Sequence, residues 1–149
     1  MDNYERLYNE ANNFLSKSKV NVFKVIEWKN LLESEDFNIN EYEKMLLYFN
    51  VSIYKDETGF ASVTPPNVLK IVEEQVYLFL KDERFQGKGE LLIAGLISEI
   101  CVEISNHIDI NAFIVGGILD LLFLGIMKIG IKAWCKYYEE KRNSNDTEG

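Results

Sequence analysis

The sequence predicts a mainly α fold, a bundle of about six helices with one short β-hairpin near residues 51–63. Three observations carry that reading. Apolar residues recur at helical spacing through most of the chain. Asx, Pro and Gly signals cut it into pieces of helix length. The 149 residues are 47% apolar and 27% charged, the balance of a folded globular domain.

Tyr4, Leu7, Tyr8, Ala11, Phe14 and Leu15 form the apolar face of a first helix, with Asp2 or Asn3 as its cap. Val20 to Glu33 makes a second segment, with Val22, Val25, Ile26 and Leu32 on one side; its β-branched opening also suits a strand. Asn40, with Glu43 three residues on, is a capping-box-like start. Tyr42, Met45, Leu46 and Phe49 continue that third helix. After Asn50 the period changes to two. Val51 to Tyr54 alternates, Asp56 to Gly59 is turn chemistry and Phe60 to Val63 returns, which predicts the hairpin.

Thr64-Pro65-Pro66 predicts the start of a fourth helix, with Thr64 as cap and Pro65 in the first turn. Its buried face is Leu69, Val72, Val76, Phe79 and Leu80, and it stops near Asp82. A glycine-bearing connector, Arg84 to Gly89, then separates an N-terminal region (1–84) from an apolar helical hairpin (85–141). The two are expected to form one compact domain, followed by a polar, frayed tail at 142–149.

The hairpin's first helix is Glu90 to His107, where Ala94, Ser98, Cys101 and Ser105 make a stripe of small side chains. The second runs from about Ala112 to near Lys141, with Gly116, Gly117, Gly125 and Gly130 inside it. So short a connection predicts a central antiparallel pair, packed through Ala94, Ser98, Cys101, Gly116 and Gly117.

Ala112 to Met127 is the most hydrophobic stretch. Its 16 residues make about 24 Å of helix, short of the roughly 30 Å of a bilayer core. Asp120 interrupts it, and an acid at mid-span is costly in lipid. No Lys or Arg lies between Gly89 and Met127, whereas Lys128, Lys132, Lys136, Lys141 and Arg142 follow, the charge asymmetry of a cytoplasmic C-terminus. The expectation is a buried core helix in which Asp120 meets a Lys, a helix-terminal donor or a polar cavity. The alternative is a membrane-associated protein that inserts the apolar hairpin 91–131.

The net charge of −8 opposes nucleic-acid phosphates and favours a basic protein partner. Two cysteines and no basic-then-apolar leader predict a reduced, cytoplasmic setting. Sites for chemistry are sparse. His107 is the one histidine, and Cys101 is a poorly placed nucleophile. Gly87-Lys88-Gly89 lacks P-loop spacing. Glu99 and Glu103 read as a solvated helix stripe. No cofactor and no metal are expected.

Lys128, Lys132 and Lys136 recur every fourth residue beside Trp134, Tyr137 and Tyr138, which makes a basic and aromatic interaction patch. It suits anionic lipid, an acidic partner or the protein's own carboxylates. Residues 20–63, in the order helix, helix, hairpin, resemble a winged helix-turn-helix, with Asp36 to Ile39 as the turn and Glu41 to Asn50 as the reading helix. The resemblance implies nucleic-acid contact, but Glu41 and Glu43 oppose phosphate, so a protein-binding use or a nucleic-acid mimic fits better. The expected function is a small acidic, non-enzymatic protein-binding module: an adaptor, an immunity-type inhibitor or a regulator.

Overall fold

The computed structural model describes residues 2–58 and 67–148. Among them are eight α-helices, one 3₁₀ turn and no strand. The helices are α1 (Asn3–Lys17), α2 (Val22–Glu33), α3 (Ile39–Thr58), α4 (Val68–Lys81), α5 (Glu90–Ala94), α6 (Ile97–His107), α7 (Ala112–Ile129) and α8 (Ile131–Glu148), with the 3₁₀ turn at Glu83–Phe85. Buried side chains from Leu7 to Tyr138 form one core cluster.

Asp2 caps α1 by accepting from Glu5 N at 2.8 Å, and Leu7, Ala11, Phe14 and Leu15 are buried. The second segment is helical from Val22, with Asn21 accepting from Phe23 N. It buries Trp28 and Leu32, whereas Val22 and Ile26, expected on the same side as Leu32, face solvent. The third helix starts earlier than its capping-box signal. Asn38, not Asn40, accepts from Glu41 N.

The expected β-hairpin is replaced through its first half by helix, since α3 runs unbroken to Thr58. Ile53 extends the buried stripe of Phe49 by one more turn. Asn50 is held too, accepting from Leu69 N at the start of α4. These tertiary contacts outweigh a local alternation of four residues. The returning half, Phe60 to Val63, and the Thr64-Pro65 start signal lie outside the described residues; α4 is capped by Asn67, which accepts from Lys70 N. Without the first wing strand, the winged-helix order fails as well.

Two expected long helices are each divided. Gly95 ends α5 one turn after it begins, and α6 restarts at Ile97. The carbonyls at this break are met from α1: Asn3 Nδ2 donates to Leu91 O and Arg6 Nη2 to Ala94 O. Gly130, at φ +94°, separates α7 from α8. That conformation is open to glycine and strained for other residues. Glu90 accepts from Ile131 N at 2.9 Å and so caps α8.

The centre is α7 alone rather than a pair of helices. α1 covers it most extensively, with α6, α4 and α3 around the rest. Two of its glycines admit aromatic rings. A Cβ at Gly117 would stand 2.2 Å from the Phe14 ring, and one at Gly125 would stand 2.8 Å from Tyr42. Tyr42 then donates to Leu121 O at 2.6 Å while accepting from Trp28 Nε1 at 3.1 Å. One ring thereby ties α2 and α3 to the central helix.

Candidate functional site

The outer faces of α2 and α3 leave large apolar side chains in solvent. On α3, Leu47, Tyr48 and Val51 share a stripe at i, i+1 and i+4, opposite the buried Tyr42, Leu46 and Phe49. On α2, Phe23 is 71% exposed, beside Val22 and Ile26. Between the helices runs a groove of about 500 Å³, with Leu31, Met45 and Tyr48 in its lining. Lys24 Nζ lies 5.2 Å from the Tyr48 ring centre, which brings the start of α2 beside the middle of α3. Phe23 stands one turn before Glu27 on the stripe that Asn30 and Ser34 continue into the groove wall. The rim charges are already paired: Lys24 with Glu27 at 3.3 Å, and Lys44 with Glu41 at 3.6 Å.

The predicted basic and aromatic patch is taken apart by the break at Gly130. Lys128 ends α7 and sits 5.7 Å from the Tyr4 ring centre. Lys132 and Lys136, on α8, line a separate cleft together with Lys81 and Lys88. Trp134 and Tyr138 are not surface residues: both are buried and stacked at 5.4 Å. Tyr137 is half-buried and donates to Glu43. Helix phase explains the correction, since Trp134, Tyr138 and Lys141 follow i, i+4 and i+7 and point inward from the lysine face.

That inward stripe ends in a buried charge cluster that the sequence reading missed. Lys141 Nζ stands 2.7 Å from Glu43 Oε2 and 3.3 Å from both oxygens of Glu73. Glu43 on α3 and Glu73 on α4 are 5% and 3% exposed. Tyr137 donates to Glu43 Oε2 at 2.6 Å. Burial pushes the Glu73 carboxyl up to about 9, helped by its hydrogen bond to Glu43, so it carries a proton at neutral pH. Burial also opposes the charge on Glu43, but hydrogen bonds from Glu73, Lys141 and Tyr137 hold it below the usual carboxylate value. The net arrangement is one anion, one neutral acid and one ammonium, which joins three helices. A signal for it existed. Glu73 falls between Leu69, Val76 and Leu80 at core spacing, and Glu43 shares a face with Leu46 and Asn50.

Among the described residues, Asp120 meets neither a lysine nor a helix-terminal donor. It is 7% exposed on α7 and bonded to the Glu10 carboxyl of α1, with Arg6 nearby. Burial, then the Glu10 charge and hydrogen bond, raise it to about 8.

The small-residue stripe is only partly inside. Ala94 is buried and Gly116 lies 3.5 Å from Cys101 Sγ, measured from the position its Cβ would take. Ser98 is exposed, and Gly117 receives Phe14 rather than α6. The break at Gly95 resets the helical phase, so Ile97, Ile100 and Ile104 form the buried face of α6 instead. Glu99, Glu103 and His107 are exposed. Burial pushes the Cys101 thiol above its ordinary value, the wrong direction for a thiolate nucleophile. Comparison of the chain with protein-family models, curated proteins and solved structures gives no match.

Proposed function

We propose that this chain is a non-enzymatic protein-binding module that docks an amphipathic helix of a protein partner in the α2–α3 groove. The carrying observation is the groove with Leu31, Met45 and Tyr48 in its lining, on two helices that also leave Phe23, Ile26, Leu47 and Val51 exposed outside the lining. Contiguous exposed apolar surface with a polar rim is characteristic of interaction sites. Both rim lysines are already matched by neighbouring glutamates, so apolar contact supplies the binding energy and the charges set the edge. A helix laid between two helices is a recurring way to fill such a groove. Two free thiols support a reducing, cytoplasmic setting.

A photo-crosslinking residue at position 23, used in cells, tests the docking. The expected result is one discrete protein adduct that disappears in a Leu47→Asp, Val51→Asp background and is absent when the crosslinker stands at Ser98. No discrete adduct, or one that survives both aspartates, defeats the reading. A second reading, insertion of residues 91–131 into a membrane, is favoured by the mean hydropathy of 2.1 across α7 and by exposed Leu91, Leu92 and Phe113. Resistance of the wild-type chain to carbonate extraction from membranes would put it first.

A further inference from the structure

The cleft that holds Lys132 and Lys136 is independent of the α2–α3 groove and has its own chemistry. It encloses about 730 Å³ between the connector after α4 and the first turns of α8. Lys81 and Lys88 stand on the connector side, Lys132 and Lys136 on the α8 side, and the carboxylates in the lining are Glu90 and Glu139. Four ammonium groups against two carboxylates leave two positive charges in excess, in a chain whose net charge is −8.

Both carboxylates are already engaged. Glu139 pairs with Lys81 at 3.4 Å and accepts from the Tyr77 hydroxyl, and Glu90 accepts from Ile131 N. The first amide of α8 is therefore already occupied. Lys88, Lys132 and Lys136 are exposed and make no ion pair among the described residues. Lys132 and Lys136, four residues apart, project from the same side of α8. Leaving three like charges around one concavity is unfavourable in the empty protein and is relieved by a multivalent anion.

The free cations of the cleft are all lysines. None of the three arginines lines the cleft. Arg6 donates to Ala94 O, Arg84 pairs with Asp82, and Arg142 lies over the Tyr77 and Tyr138 rings. Guanidinium forks grip carboxylate and phosphate alike, whereas lysines bind as point charges and are frequent phosphate binders, so this cleft recognises a ligand by its charge density. The space far exceeds a single phosphate, and the half-buried Phe85 and Ile131 give it an apolar wall. Gly89, at an ordinary φ of −78°, has nothing within 4 Å of where a Cβ would stand. Neither packing nor backbone strain calls for glycine there.

We infer that the cleft between the 82–90 connector and the start of α8 binds a soluble small molecule bearing two or more phosphate groups, held by Lys88, Lys132 and Lys136. The lysines come from two walls of one cleft, Lys88 from the connector and Lys132 and Lys136 from α8, which fits a compact ligand better than a lipid surface.

Calorimetric titration of the full chain with inorganic tripolyphosphate at low salt tests this. Saturable one-to-one binding is expected, weakened about tenfold by Lys132→Gln and by Lys88→Gln, each removing one of three contacts. Lys128→Gln, outside the cleft, should leave affinity unchanged within about twofold, a loss no larger than general charge screening gives. Circular dichroism confirms that each variant is folded. Absence of saturable binding overturns the inference, as does equal weakening by all three substitutions. Cosedimentation with phosphatidylglycerol vesicles that tripolyphosphate does not compete away also overturns it, assigning the lysines to a membrane.

Discussion

α7 and α8 are consecutive helices of 18 residues each, separated by one glycine, and they are held by opposite means. α7 buries twelve residues, all of them apolar or glycine except Asp120. α8 buries Trp134, Cys135 and Tyr138 near its start, and beyond them it is held by charge and hydrogen bonds. Lys141 reaches Glu43 and Glu73, Tyr137 reaches Glu43, and Tyr77 reaches Glu139. Arg142 covers the Tyr77 and Tyr138 rings. Apolar burial is non-directional and barely depends on pH. An ionic clamp depends on geometry, salt and protonation. The attachment of α8 should therefore yield to conditions that leave the packing around α7 intact.

The largest expected effect breaks the α7 side of that contrast. Gly117→Ala places a methyl 2.2 Å from the Phe14 ring, which must move out of its seat. A loss of about 3 kcal/mol in unfolding free energy is expected, the upper part of the overpacking range. Gly116→Ala meets only an ordinary contact at 3.5 Å from Cys101 Sγ and should be neutral or gain up to about 1 kcal/mol of helix propensity. Urea denaturation of both variants checks this. Equal effects would mean that the ring does not sit against Gly117.

Next is the α8 side. Lys141→Ala leaves the Glu43 carboxylate without its cation in a buried site. The expected loss is about 2 kcal/mol, below the usual value for breaking a buried pair because the lysine side chain is 35% exposed. Thiol labelling of a Cys101→Ser background gives the local reading, since Cys135 lies on α8. Labelling should accelerate in Lys141→Ala and stay slow in Gly116→Ala. Unchanged labelling would show that the clamp does not hold the helix.

The smallest effect per step is the pH dependence, and both regions contribute. Glu73 and Asp120 bind their protons more tightly folded than unfolded, so the stability each contributes is complete at acid pH. It is lost as pH rises through about 9 for Glu73 and about 8 for Asp120. Glu43 acts in the opposite sense: its contribution is present above the ordinary carboxyl value and lost as pH falls through its depressed one. Between weakly acidic and alkaline pH the stability should decline, by at most about 1.4 kcal/mol per pH unit for each extra proton held. Glu73→Gln should flatten the decline in Cys135 protection, and Asp120→Asn the decline in global stability. A wild-type stability that rises over this interval would contradict both assignments.

Periodicity alone was enough for the helical class and for the inner face of α1, because burying an apolar stripe is a local requirement of the helix. It also marked α7 as the most apolar segment of the chain. It failed over Val51 to Thr58, where four alternating residues were outvoted by the burial of Ile53 and by Asn50 capping the next helix. It failed again on the glycines, which are alike in sequence. Gly117 and Gly125 lie within α7 and make room for rings from α1 and α3, whereas Gly130 breaks the helix where Glu90, from 41 residues away, captures Ile131 N. Spacing tells which face of a helix turns inward, and so it held the signal for Glu43, Glu73 and Lys141. It does not tell what stands opposite. The partners of Lys141 lie 98 and 68 residues away in the chain, and those of Asp120 lie on α1. Whether a buried acid meets a base or another acid was decided when those helices packed, because the energy of a charge in the core belongs to the pair rather than to the residue.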